Sequence, residues 1–388
     1  MSWKLAVSPN SNNSKDDFKF VALVWVLSRL WFAFFAYMGH ISHPFQEKII
    51  EAYSGVSNWS LNVWTTFDSQ YFLEIARTGY TPKNSAFFPL YPLLLRPFGP
   101  DENTMALAGT LISNIAFLLA LWLFWKLSRL QFERDLSRVM VWTLAFFPAA
   151  VYSMAVYTES VFIMFALAAF YLARTRQWVW AIPCAVLAAL TRNAGPVLAV
   201  ALLLEWWGQR KASLESNSLI PSLIWALGAL LPMLTFVGMQ LYFRSTFGGL
   251  ALIKAQESFG RAASWPWLPL WRDIADIFTV EANLVTMWNV AASILTFYFG
   301  WKHRKCLAKA DNLFMCGVML MQLCFSRIWA PYTISSLRYV FSATAFSQAL
   351  TLEMQAPRSR LVKLFLIATA LIFSAGFAFL FGTKAFIS

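Results

Sequence analysis

Eleven apolar segments follow one another along the chain, near residues 20–38, 105–125, 139–156, 158–173, 178–191, 194–208, 219–243, 283–301, 312–328, 336–352 and 361–382. Crossing roughly 30 Å of hydrocarbon takes about 20 apolar residues in an α-helix, and in lipid a helix satisfies its own backbone hydrogen bonds. The segments predict an all-α, polytopic transmembrane bundle of about eleven spans forming a single domain over residues 1–388. The pair around Pro183 and Pro196 is short enough to cross at an angle or to dip. Only 13% of the residues are charged and 59% are hydrophobic, against about a quarter charged in a soluble domain. That excludes a soluble enzyme, and the wealth of Phe, Trp and Tyr excludes a disordered chain. The stretch before the first segment, with SNNSKDD, is too polar and too acidic for a cleaved signal peptide, so 20–38 reads as a retained span.

A net charge of +12 in a soluble protein would point to nucleic acid. Its distribution points elsewhere. With the N-terminus in the cytoplasm, 18 of the 31 Lys and Arg fall on the inner side, 12 on the outer, and Arg29 lies in the first span; against 8 inner and 11 outer acids the balance is +10 inside and +1 outside. This is the positive-inside signal of a membrane protein, and no nucleic-acid partner is expected. The four cysteines, at 184, 306, 316 and 324, fall in spans or on the inner side, where none can staple an outer loop. His40 and His43 are spaced to share a metal, but two ligands without a third make no site, so no metal is expected.

Two stretches interrupt the rhythm of short connectors: residues 41–104 and residues 244–282, both on the outer side. Long loops are where function concentrates. In the first, Tyr71, Phe72, Ile75 and Ala76 recur at helical spacing, and Gly79 and Pro82 end the pattern, so Asp68 stands at the start of a short amphipathic helix. Its structural role there would be a cap, alone or with Thr65 in a capping box. Its chemical role would be a general base at the membrane surface, beneath the rigid aromatic segment Phe87-Phe88-Pro89-Leu90-Tyr91-Pro92.

The segments Phe67-Asp68-Ser69-Gln70-Tyr71-Phe72-Leu73-Glu74-Ile75-Ala76, Gly79-Tyr80 and Ala86-Phe87-Phe88-Pro89-Leu90-Tyr91-Pro92 resemble the signature of the PIG-V family, the GPI mannosyltransferase II enzymes and their bacterial relatives among the GT-C glycosyltransferases. The resemblance continues through Tyr157-Thr158-Glu159-Ser160, Thr191-Arg192-Asn193-Ala194-Gly195, Lys254 to Arg261, and Leu337-Arg338-Tyr339. Phe67 stands where the family usually has Trp, and Ala194 interrupts its usual Asn-Gly pair.

The resemblance implies a GT-C membrane enzyme that transfers a sugar, most often mannose, from a polyprenyl-phosphate donor, without cofactor or metal, on the outer or lumenal side. Asp68 matches the family's catalytic acid. It would accept the proton of an acceptor hydroxyl that attacks the anomeric carbon with inversion. Arg192, Arg261 and Arg338 are the cations for the phosphate. Glu159 would orient one of them or bind a sugar hydroxyl, and Asn193, Gln256 and Tyr339 complete the substrate-binding set. Trp265 and Trp267 would stack on a sugar or form an interfacial belt. The partners are the lipid-linked donor, a glycan, glycolipid or protein acceptor, and the bilayer. Compact loops and short termini point to a bacterial cytoplasmic membrane rather than the endoplasmic reticulum. A flippase for lipid-linked sugars, or a non-catalytic subunit on the same scaffold, would share the apolar groove and the arginines but would not need Asp68.

Overall fold

The computed structural model describes residues 11–42, 55–212, 219–249, 251–278, 284–356 and 359–384. These form an almost wholly helical bundle. Its long helices are α1 (Ser11–Ser42), α5 (Glu102–Arg129), α13 (Leu284–Lys302) and α17 (Arg360–Gly382). The 28 residues of α5 give a rod of about 42 Å at the rise of an α-helix. Among the described residues, five helical stretches are long and apolar enough to cross a membrane: Ser14–Ser42, Glu102–Arg129, Leu223–Phe247, Leu284–Lys302 and Arg360–Gly382.

The other apolar segments form shorter or interrupted helices, for local reasons. The segment at 139–156 is α6 (Arg134–Ala145) followed by a 3-10 turn over Pro148–Ser153. Pro148 has no N–H to donate and disfavours helix in the residue before it, so the helix stops short. The segment at 219–243, although Leu223–Phe247 is one of the five long stretches, is interrupted at Leu230 between α10 (Leu219–Ala229) and α11 (Leu231–Phe247), with Pro232 in the first turn of α11. The segment at 336–352 divides at Ala343 into α15 (Ser336–Ser342) and α16 (Ala345–Met354). Between them in sequence lie α7 (Glu159–Arg174), α8 (Trp178–Ala189), α9 (Gly195–Ala212) and α14 (Lys309–Leu323).

The core is apolar and dense. Phe117, Phe124, Phe162, Phe341 and Phe377 are fully buried within it. The two ends of the chain meet there, α1 packing along α17. Gly382 lies so close to the backbone of Ala36 that a Cβ would collide with its carbonyl oxygen, so glycine sets how closely these helices approach.

The described residues of the two long stretches that interrupt the apolar segments are folded and pack on each other. The first holds α2 (Trp59–Asn62), α3 (Ser69–Thr78), a 3-10 turn at Asn84–Ala86 and α4 (Leu90–Leu95). The second holds the π-turn Ala251–Ala255, strand β1 (Arg261–Ala263) and α12 (Trp267–Ile277). The turns at Asn84–Ala86 and Ala251–Ala255 are in contact, and Phe259 sets its ring edge-on to Tyr71 at 5.4 Å and to Phe87 at 5.7 Å. Strand β2 (Phe325–Arg327), which follows α14, pairs antiparallel with β1.

Candidate functional site

Asp68 is placed by a bend in the first loop. Phe67 takes a left-handed conformation with φ +53°, uncommon for a bulky residue, and turns the chain into α3. The Asp68 carboxylate makes no capping bond to α3, and Thr65 Oγ1 donates back to the carbonyl of Asn62 at 3.2 Å, so the capping role is not realised. The carboxylate is held from elsewhere: Arg338 Nη1 donates to Asp68 Oδ2 at 2.8 Å. Tyr157 fixes the turn, its hydroxyl accepting from the Asp68 N–H at 3.3 Å and donating to the Thr66 carbonyl at 3.1 Å.

Arg338 lies on α15, with its Nε and Nη2 both 2.7 Å from Glu159 Oε1. Its guanidinium is packed 4.8 Å from the ring centroids of Tyr152 and Tyr157, a cation–π setting that takes up the faces while the edges donate. Both tyrosines belong to the buried run 149–160, the irregular stretch that exists because Pro148 ends α6. Glu159 opens α7 and is fully buried. It also holds Arg192 Nη1 at 2.6 Å. Arg192, just beyond α8, lies 5.1 Å from the ring centroid of Tyr339. Asn193 Nδ2 reaches the Tyr339 hydroxyl at 3.5 Å. The result is an alternating row of charges, Arg192, Glu159, Arg338 and Asp68, drawn from four parts of the chain.

A cavity of about 240 Å³ opens beside this row. Asp68, Arg192, Asn193, Gln256, Arg261, Arg338 and Tyr339, seven of the eight residues singled out in the sequence, line it. The eighth, Glu159, stands behind the wall. It binds two arginines and offers no surface to a sugar hydroxyl. Phe72, Phe87, Phe88 and Phe259 supply an apolar side. Trp265 and Trp267 are not part of the wall; they stack on each other at 5.2 Å and are mostly exposed. His43 lies outside the described residues, among which no three His, Cys, Asp or Glu side chains come together as a metal site.

Among the lining residues outside the sequence motifs are Gln240, Arg327, Ile334 and Ser335. Arg327 stands at the end of the apolar segment 312–328 and belongs to none of the motifs that carry the resemblance. Burial and, after it, the charge of Arg261 push its guanidinium below the ordinary value. The loop between Arg327 and Arg338 is anchored by the buried Asp273 of α12, which accepts from Tyr332 N at 2.8 Å, Thr333 N at 2.6 Å and the Thr333 hydroxyl. Burial pushes the Asp273 carboxyl up, and these donors act against it.

The family model of the mannosyltransferases (PIG-V) matches residues 20–204. Over that stretch, just under half of its length, the chain is similar to the PIG-V family. Within it lie Asp68, Glu159, Arg192 and Asn193, while Gln256, Arg261, Arg338 and Tyr339 lie beyond it. GPI mannosyltransferase 2 of Drosophila melanogaster is 29% identical over 131 residues, which cover 30% of this chain and 27% of that one. The chain therefore spans about a quarter of that relative. Among solved structures, the oligosaccharyltransferase of Archaeoglobus fulgidus superposes on 94% of this chain and 53% of its own, with a TM-score of 0.44 and 13% identity. The same enzyme tethered to an acceptor peptide gives a TM-score of 0.45 over 95% of this chain and 56% of its own, at 14% identity. Similarity this distant carries no argument about the site.

Proposed function

We propose that this chain, similar to the PIG-V mannosyltransferases over residues 20–204, is a membrane glycosyltransferase of GT-C type that transfers a sugar, mannose in the first instance, from a polyprenyl-phosphate donor to an acceptor hydroxyl with inversion. One observation carries the reading: a single carboxylate, Asp68, stands in a cavity rich in arginine, its Oδ2 held by Arg338. Its Oδ1 accepts no hydrogen bond from a described residue, which leaves one oxygen for an acceptor proton.

The acceptor oxygen attacks the anomeric carbon from the face opposite the lipid phosphate. A bond forms between that oxygen and the anomeric carbon, the bond from the anomeric carbon to the phosphate oxygen breaks, and Asp68 takes the acceptor's proton. A β-linked donor gives an α-linked product. The phosphate leaves as a monoester and needs charge neutralisation more than protonation, which arginines of the wall supply. Arg338 does more than offset charge. Because it is shared between Glu159 and Asp68, it orients the base through one side of its fork while the other is anchored. Asn193, Gln256 and Tyr339 are placed to bind the sugar, and the aromatic side of the cavity to receive the acceptor or the start of the lipid. The positive-inside balance supports the outer or lumenal face for this cavity, in a bacterial member the outer side of the cytoplasmic membrane.

The test is transfer from radiolabelled polyprenyl-phosphate mannose by the purified protein in lipid nanodiscs, with and without Asp68→Asn. The expectation is loss of transfer by roughly 100-fold or more, the range of a positioned general base, with donor still bound. A flippase would tolerate the isosteric change, and full transfer by Asp68→Asn would overturn the mechanism.

A further inference from the structure

Arg29 lies in the middle of α1, within the apolar stretch Ser14–Ser42, and is buried. The buried Arg174, Arg192 and Arg338 each hold a carboxylate. Arg29, among the described residues, holds none. A guanidinium taken out of water without an opposite charge opposes folding, and in a span such a residue points to function before stability.

The partners of Arg29 are neutral. Its guanidinium lies 4.7 Å from the ring centroid of Phe117. Its Nη1 donates to Ser153 Oγ at 2.8 Å and reaches Asn114 Oδ1 at 3.5 Å, and its Nε donates to Ser28 Oγ at 3.3 Å. Asn114, on α5, is tied to α1 by Trp25 Nε1, which donates to its carbonyl at 3.1 Å, and its own Nδ2 reaches the Met154 carbonyl at 3.5 Å. Arg29 thus joins α1 and α5 to the end of the 3-10 turn Pro148–Ser153.

That turn leads into the stretch that shapes the site. Between Ser153 and Glu159 the backbone is in no helix, so contacts from outside set its path. Ser153 follows Tyr152, and Tyr152 and Tyr157 are the rings packed on the Arg338 guanidinium. At the other end, Val156 N donates to the Trp64 carbonyl at 2.9 Å, and the Tyr157 hydroxyl bonds the loop of Asp68. Arg29 does not line the cavity, so it can act only through this stretch.

We propose that Arg29 is a positioning residue for sugar transfer: its bond to Ser153 fixes residues 153–157, and through them the tyrosines that set Arg338 against Asp68. The role rests on the function proposed above, but the geometry it claims can be read without turnover. Because the charge has no carboxylate partner, removing it relieves a burial cost, so stability and activity separate.

The experiment compares Arg29→Met, Ser153→Ala and the double variant with the unaltered full chain in lipid nanodiscs. Each is measured for thermal unfolding, for kinetics of transfer from polyprenyl-phosphate mannose, and for hydrogen exchange at the Asp68 and Val156 amides. For Arg29→Met we expect the unfolding midpoint to be retained or raised. Exchange at the two amides should be faster and turnover lower, each by roughly tenfold or more, with the donor KM kept within about twofold, the scale of one hydrogen bond from a charged group. Ser153→Ala, which removes the same bond from the other side, should share the defect, and the double variant should add nothing to it. Ser153→Ala also tests the role if Arg29→Met does not fold. Unchanged turnover and exchange in the single variants would overturn the proposal. So would a fall in turnover of Arg29→Met that only follows a fall in its midpoint, with Ser153→Ala unaffected, since Arg29 would then be structural. No transfer by the unaltered protein would instead overturn the proposed function, and amide exchange would then decide alone whether Arg29 holds the stretch.

Discussion

Arg338 Nη1 lies 2.8 Å from Asp68 Oδ2, a contact between residues 270 positions apart in the chain. It joins the start of a loop helix to the first turns of a helix near the other end of the protein. The same guanidinium is bound to Glu159 by its Nε. The position of the candidate base is therefore set by a planar group with donors on two edges.

That geometry predicts the outcome of Arg338→Lys. A lysine keeps the charge but cannot donate along two edges of one plane. Losing one charge-assisted hydrogen bond is worth about 1.5–3 kcal/mol, or roughly a 10- to 100-fold fall in the turnover of sugar transfer, with the KM for donor little changed. Steady-state kinetics would show it, and an unchanged turnover would mean that Arg338 does not position Asp68.

Glu159→Gln should affect folding more than Asp68→Asn. Glu159 is fully buried and, among the described residues, is the only carboxylate bound to Arg192, whereas the Asp68 side chain is 32% exposed. Removing one partner of a buried ion pair costs about 3–5 kcal/mol because the remaining charge is left uncompensated. Comparing denaturation midpoints of the two variants in detergent checks the order, and equal midpoints would contradict it.

Asp273→Asn should loosen the loop that carries the wall from Arg327 to Arg338. The amide retains one acceptor oxygen where the carboxylate has two, so the N–H groups of Tyr332 and Thr333 can no longer both be held as they are. Hydrogen exchange at those two amides should speed up by roughly tenfold or more, the equivalent of one lost hydrogen bond to a charged group. Unchanged protection would show that the loop is held by other contacts.

Gly260→Ala should damage the β1–β2 ribbon while sparing the bundle. With φ +65° at that position, a left-handed alanine costs about 1–2 kcal/mol, and its Cβ has no space beside Trp329. Helix content by circular dichroism should match the unaltered protein while sugar transfer falls. A variant with full activity would show that the Gly260–Trp329 approach is not needed to shape the cavity.

Much of this protein was legible along the chain. The apolar segments marked where helices form, because hydropathy is a local signal of lipid contact. Read by hydropathy alone, 139–156 and 219–243 each give one span, and that reading misses the interruptions beside Pro148 and Pro232, a consequence of proline's missing N–H. The motifs carrying Asp68, Glu159, Arg192 and Arg338 were visible too, and seven of the eight residues they suggested share one cavity.

Their pairing was not visible. Nothing local says that Asp68 serves Arg338 rather than capping its own helix, that Glu159 holds two arginines behind the wall, or that Arg327 stands opposite Arg261. The hydrophobic pattern is decided residue by residue, since each side chain meets lipid, water or core according to its place on its own helix. The partner of a buried charge is decided by desolvation, which compels each guanidinium and carboxylate to find an opposite charge wherever packing brings one. By itself, therefore, the sequence determined a helical membrane bundle and the residues able to do chemistry. Only the tertiary structure, by closing α15 onto the loop before α3 and β2 onto β1, decided which of them act together.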